Sequence, residues 1–151
     1  KDQKGYYWIS TLGGGLNRMD YIKGTFIHFR ASEKETSISN DNIVNMIRSY
    51  DGQLYLATRN GLTIFNPVTH KVRRVFLDDK GNDADNRMQY VYEDPSGNIY
   101  VATFKKGLYI YIRGKEKLVP FLSLPPALQS PLYNSIFRDP MGRLWFSGRF
   151  I

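Results

Sequence analysis

Gly97-Asn98-Ile99-Tyr100-Val101-Ala102-Thr103, followed after a short gap by Gly107-Leu108, decides the fold, because the same unit recurs along the chain. It stands earlier as Gly5-Tyr6-Tyr7-Trp8-Ile9-Ser10-Thr11 with Gly15-Leu16, and as Gly52-Gln53-Leu54-Tyr55-Leu56-Ala57-Thr58 with Gly61-Leu62. A fourth copy, Gly142-Arg143-Leu144-Trp145-Phe146-Ser147-Gly148, runs toward the C-terminus. The leading glycines lie 47, 45 and 45 residues apart, and the Gly-Leu pairs 46 and 46. A fixed period of this size marks a repeat architecture.

Each position has a physical reading. Asp94-Pro95-Ser96-Gly97 and Asp139-Pro140-Met141-Gly142 are turn sequences, in which Asp caps, Pro fixes φ and Gly takes the left-handed conformation. Asp2-Gln3-Lys4-Gly5 keeps the Asp and the Gly, whereas Ser49-Tyr50-Asp51-Gly52 moves its Asp beside the Gly. After each turn comes a short apolar run with an aromatic at one place, Trp8, Tyr55, Tyr100 or Trp145, as expected of a strand buried on both faces between sheets. Before the complete turns stand Met46-Ile47, Val91-Tyr92 and Ile136-Phe137, each followed by a charged residue, Arg48, Glu93 or Arg138. A third strand begins at each Gly-Leu pair, and a fourth is expected at Lys71 to Leu77 and at Leu118 to Leu122.

Four antiparallel strands in about 45 residues make a β-propeller blade. The fold class is therefore all-β, a β-propeller fragment: an incomplete blade at 1–31, blades at 32–77 and 78–122, and an incomplete blade at 123–151. Propellers typically close with about four to eight blades, so the expectation is a piece of a longer protein, with closure by self-association the alternative.

Asp2-x-x-Gly5-x-x-Trp8-Ile9-x-Thr11-x-x-Gly14-Gly15-Leu16-x-Arg18 resembles the repeat of the two-component regulator propellers, the sensor region of hybrid two-component histidine kinases abundant in gut Bacteroidetes. The resemblance extends over essentially the whole chain and softens in the later copies, where Tyr55 and Tyr100 replace Trp and Gly148 replaces Thr. The Gly-His and Trp-Asp pairs of WD repeats are absent, and the Gly-Gly doublet of kelch repeats appears only in the first copy. The resemblance implies a periplasmic location, in the extracytoplasmic part of an inner-membrane protein. It implies an oligosaccharide ligand whose binding alters kinase output, and a homodimer through the parent receptor. The runner-up reading is a protein-binding or structural propeller module without small-ligand sensing.

Composition narrows the chemistry. There is no cysteine among the 151 residues, which removes disulfides, thiolate nucleophiles and Cys-based zinc sites. A net charge of +7 invites a polyanion, but the basic residues come in ones and twos among acids, so a nucleic-acid partner is not expected. No apolar run approaches the roughly 20 residues of a membrane-spanning helix, and the start, Lys1-Asp2-Gln3-Lys4, has neither an initiator Met nor a signal peptide.

No catalytic constellation emerges, and neither a metal nor a cofactor is expected. His28, in an outer strand, and His70, in a turn, stand in no ligand or catalytic spacing and are read as structural. Gly13-Gly14-Gly15 is followed by a strand and lacks the Lys-Ser/Thr of a phosphate loop, which makes it a turn. Asp78-Asp79-Lys80-Gly81-Asn82-Asp83-Ala84-Asp85 is rich in oxygen ligands but does not match EF-hand spacing and is read as a solvated inter-blade loop.

Ligands commonly reach propellers at loops on one face or at the central channel. Loops joining second to third strands share a face with the inter-blade connections. That face is expected to carry Leu12, Arg59, Asn60, Phe104, Lys105 and Lys106, with Arg149 beginning the next loop, together with Asn40, Asp41, Asn42, Asp85, Asn86 and Arg87. Of these, Arg59, Asn60, Phe104, Lys105, Lys106, Arg149, Asn42 and Arg87 are the candidate ligand contacts. An aromatic stacks on a sugar ring, amides bond hydroxyls, and Arg grips a carboxylate or sulfate, so the rim is expected to help bind an oligosaccharide, with chemistry that suits an acidic one. The alternative is a solvated loop rim with the site on other blades.

Overall fold

The computed structural model describes residues 1–2, 4–77, 86–121 and 132–149. Among these, thirteen strands form four antiparallel sheets. The first is β1 (Tyr7–Ser10), β2 (Leu16–Asp20) and β3 (Thr25–Phe29). The second is β4 (Ile43–Arg48), β5 (Leu54–Thr58), β6 (Leu62–Phe65) and β7 (Val72–Val75). The third is β8 (Met88–Glu93), β9 (Ile99–Thr103), β10 (Leu108–Ile112) and β11 (Lys117–Pro120), and the fourth is β12 (Leu132–Arg138) with β13 (Leu144–Arg149). The second and third sheets are four-stranded meanders, the blade of a β-propeller, and the first and fourth are three and two strands of the same pattern. The leading strands β4, β8 and β12 pack side by side, β8 touching both others. Each carries a register shift at the same place, Ile43/Asn45, Met88/Tyr90 and Tyr133/Ser135.

The repeat positions act as one device. Asp94 accepts the backbone N–H of Ser96 and Asn98 on one oxygen, and the Asn98 amide and the Tyr100 hydroxyl on the other. Asp2 and Asp139 do the same with an indole, each taking Trp8 or Trp145 Nε1 at 2.9 Å. Where the acid has moved to Asp51, the Tyr55 hydroxyl reaches it at 3.2 Å. The aromatic thus fills the gap between sheets while its polar tip closes the hairpin turn. Burial alone would raise the Asp94 carboxyl, but the hydrogen bonds from Asn98, Ser96 and Tyr100 outweigh it and hold its pKa below the ordinary value.

The threonine of the repeat staples the opposite end. Thr11, Thr58 and Thr103 each donate their hydroxyl to the carbonyl of the glycine that opens the next strand, Gly15, Gly61 and Gly107, at 2.8 to 3.0 Å. That glycine cannot be larger: at Gly61 φ is +92°, and an added Cβ would lie 2.8 Å from the Phe76 ring.

The core lies between the blades. Tyr55, Ile64, Val91, Val101 and Tyr111 fill the gap between the second and third sheets, and Leu16, Ile38, Leu56 and Phe65 the gap between the first and second. β5 and β9 are buried along their whole length, as expected of strands between two sheets. β1 and β13 depart from that expectation. Their residues alternate in exposure, and Tyr7, Ile9 and Trp145 are exposed, because among the described residues only one face of each end sheet meets another sheet.

Candidate ligand-binding rim

The Thr-to-Gly loops and the inter-blade connections lie on one face and are bonded into a continuous rim. Gly13 and Gly15 donate backbone N–H to the Asp41 carbonyl, Gly61 to Asn86, Arg59 to Asn42, and Phe104 to Arg87, all within 2.7–3.1 Å. Asn42 also bridges Leu12 of the first sheet. Each loop therefore rests on the connection entering its own sheet or the next one, so its backbone is fixed and its side chains are offered outward.

On this frame the structure brings most of the expected residues together. Asn42 is half-buried beneath Arg59, and Arg59 is exposed. Asn60 is half-buried; its N–H is held by the Thr58 hydroxyl, and its Oδ1 is buried with no hydrogen-bond partner among the described residues. Arg87, exposed, lies over the Phe104 ring at 5.4 Å, a cation–π contact that fixes both groups. Lys105 and Lys106 stand exposed beside Phe104, and the Lys106 N–H is anchored on the Thr103 hydroxyl. Arg149 is the last residue of strand β13 and pairs with Leu132, the position that Asn42 and Arg87 hold for Arg59 and Phe104; the loop expected to begin with it lies outside the described residues. Asp85, and the whole Asp78–Asp85 segment, lie outside the described residues.

The rim offers guanidinium, ammonium, amide and aromatic groups on a hydrogen-bonded backbone. Among the described residues no three or more His, Asp or Glu side chains converge where a metal could sit. His28 contacts Asn17 Oδ1 through Nδ1 at 2.5 Å, and His70 packs on Phe29 and Phe65. Gly13 and Gly15 turn at φ of +87° and +68°, as the turn reading requires. No helix among the described residues is long and apolar enough to cross a membrane.

Sequence reasoning missed a second constellation, at the opposite end of the sheets. Glu93, at the end of β8, accepts the Ser49 hydroxyl at 2.7 Å, the Tyr50 N–H at 2.8 Å and Arg113 Nη2 at 2.7 Å; Arg113 also donates to Asp51 at 3.0 Å. This clasp joins the second and third blades. Its signal in the sequence is faint: Glu93 is the one acid at a position that is Arg48 and Arg138 in the other copies.

No family model matches the chain, and no curated protein does. Solved structures do. The extracellular domain of BT3049 from B. thetaiotaomicron, named as a hybrid two component system, is similar over 95% of this chain and 18% of its own, at 23% identity and a TM-score of 0.71. The extracellular domain of BT4673 from the same organism, also named as a hybrid two component system, is similar over 97% of this chain and 21% of its own, at 22% identity and a TM-score of 0.75. PorZ, a surface component of the type-IX secretion system of Porphyromonas gingivalis, is similar over 96% of this chain at 13% identity and a TM-score of 0.55. The chain spans about a fifth of the length of the two B. thetaiotaomicron domains. What it shares with all three is their fold, and that fold is the one expected from its repeat.

Proposed function

We propose that this chain is a segment of the extracytoplasmic, periplasmic input region of a hybrid two-component sensor histidine kinase. Its rim helps bind an oligosaccharide, and occupancy is passed through the membrane to the kinase. The observation that carries the reading is the rim itself, where Arg87 stacked on Phe104, Arg59, Asn60 and Lys105 stand on one hydrogen-bonded frame. The repeat resemblance and the fold shared with extracellular domains named as parts of two-component systems support it. The segment itself works by binding, without turnover or cofactor, and depends on the other blades of the parent chain.

Isothermal titration of the full parent ectodomain against neutral and acidic glycan fragments tests this. Saturable binding is expected, weakened at least about tenfold for an acidic fragment by Arg59→Ala with Lys105→Ala, the effect of losing about 1.4 kcal/mol of charge-assisted contact. Failure of every fragment to bind, with capture of a protein partner instead, would replace the reading by a protein-binding propeller. Turnover of a glycan would replace it by an enzyme.

A further inference from the structure

At the end of the sheets opposite the rim, a cleft of about 850 Å³ opens between the first and second blades, lined among others by Lys4, Tyr6, Arg18, Arg48, Tyr50 and His70. The same place between the second and third blades is closed by the Glu93–Arg113–Asp51–Ser49 clasp. Strand register shows what differs. Arg48 stands where Glu93 stands one blade later, so the acid that closes one gap is a cation in the other. Arg18 lies opposite Trp8, the place held by Ile64 opposite Tyr55 and Ile110 opposite Tyr100.

Among the described residues the lining of the cleft carries Lys4, Arg18 and Arg48 against Asp2 and Asp51, so it is positive by a net single charge. Among the described residues Lys4, Arg18 and Arg48 enter no ion pair. Two carboxylates also line it and keep their charge: burial would raise the Asp2 pKa, but its turn hydrogen bonds and the charge of Arg48 hold it below the ordinary value, and Asp51 is paired with Arg113. Asp2 receives Lys4 N–H, Tyr6 N–H and the Trp8 indole, and Asp51 receives Gln53, Tyr55 and Arg113. The Arg18 guanidinium is held over the Tyr6 ring at 4.4 Å, which fixes its direction before any ligand arrives. Tyr50, 77% exposed, and the ring of His70 supply flat walls. The volume lies within the range of small-molecule sites.

We propose that this cleft is a second binding site, for a sugar-sized ligand carrying sulfate or carboxylate groups, with Arg18, Arg48 and Lys4 gripping the oxyanions. It is separate from the rim and does not depend on the rim's ligand. Burial, then the charges of Arg18 and Lys4, hold the His70 pKa below its ordinary value, so an anion seated among those cations must raise it.

The test uses the full-length protein with sucrose octasulfate, citrate and, as the neutral control, sucrose. Saturable binding of either anion is expected, with none for sucrose. Arg18→Gln with Arg48→Gln weakens it at least about tenfold, while the charge-matched pair Lys23→Gln with Lys34→Gln changes it less than about twofold. Arg48→Gln alone, at an exposed position, weakens it about threefold and serves if Arg18→Gln lowers the melting temperature. By NMR the saturating anion raises the pH at which the His70 ring titrates and leaves the resonances of His28, on the other face of the first sheet, in place. Absence of binding by both anions, equal losses in the two charge-matched pairs, or an unmoved His70 titration would each overturn the proposal. The rim variant Arg59→Ala with Lys105→Ala leaves this binding intact, so the two sites fail or stand separately.

Discussion

Removing the Glu93 carboxylate tests whether adjacent blades are latched by a specific polar contact or held by apolar packing alone. Its side chain is 6% exposed and accepts hydrogen bonds from the Ser49 hydroxyl, the Tyr50 N–H and Arg113. Glu93→Ala deletes all three. A net hydrogen bond is worth about 1 kcal/mol, and one to a charged group about 1.5–3 kcal/mol. The Arg113 side chain is 39% exposed and keeps Asp51 at 3.0 Å, so its share is screened and discounted to about 0.5 kcal/mol. Tyr50 is exposed, and its freed N–H regains water. The expected loss is about 2 kcal/mol, or about 4–8 °C in melting temperature for a domain of this size. Glu93→Gln, which keeps one acceptor oxygen, loses about 1 kcal/mol. Urea denaturation of the single and double variants with Arg113→Met should give a Glu93–Arg113 coupling of about 0.5 kcal/mol. A loss below about 0.5 kcal/mol for Glu93→Ala would refute the latch and leave apolar packing as the whole of the blade contact.

Three other outcomes follow from the repeat devices. Thr58→Val keeps the shape of a fully buried side chain but removes the hydroxyl that bonds Gly61 and Asn60, so a loss of about 1–3 kcal/mol is expected, with faster hydrogen exchange at Asn60; unchanged exchange there would remove the staple. Gly61→Ala should cost more than Gly97→Ala. Both have positive φ, worth about 1–2 kcal/mol, but only Gly61 also meets a ring at 2.8 Å, and equal melting temperatures would contradict the close approach. Asp94, Asp51 and Asp2 all have pKa values lowered below 3.8 in the folded state. Their stabilisation is therefore complete above about pH 4 and is lost as the pH falls through the lowered values. Asp94→Asn should flatten acid unfolding in that window, and an unchanged acid limb would count against the turn carboxylate.

The blades were legible because glycines, aromatics and threonines return in one register, and each return is a separate witness to the same strand and turn. What these residues do for one another was less legible. The bond from Trp8 to Asp2 spans six residues, and the sequence hints at it only through the way the aromatic keeps a polar tip when Trp becomes Tyr. The substitution at Tyr55 makes the point. Its acid has moved to Asp51, yet the hydroxyl still finds it, so the constraint lies on the pair and not on either position. Burial of β1 and β13 could not be inferred from their own residues. Trp8 and Trp145 occupy the same repeat position, but Trp8 packs on Phe29 and Phe65 between two sheets whereas Trp145 is 49% exposed.

The candidate sites divide along the same line. Placing Arg59, Asn60, Phe104 and Lys105 on one rim needs only blade topology, and sequence supplies that. The stacking of Arg87 on Phe104 needs the path of the connection into the third blade, and sequence does not supply it. The charged position before each turn shows why equivalence in a repeat is not equivalence in role. Glu93 reaches back to latch the preceding blade, Arg48 points into an open cleft, and Arg138 bonds the Gly142 carbonyl of its own turn. One backbone site thus acquires three duties, because what faces it differs: the preceding blade's turn for Glu93, an open cleft for Arg48 and its own turn for Arg138. The fixed residues of the repeat are already committed to turns, staples and core. It follows that recognition has to be sought where a variable residue meets an unsatisfied neighbour across a gap, and the positive cleft between the first two blades meets that condition as fully as the rim does.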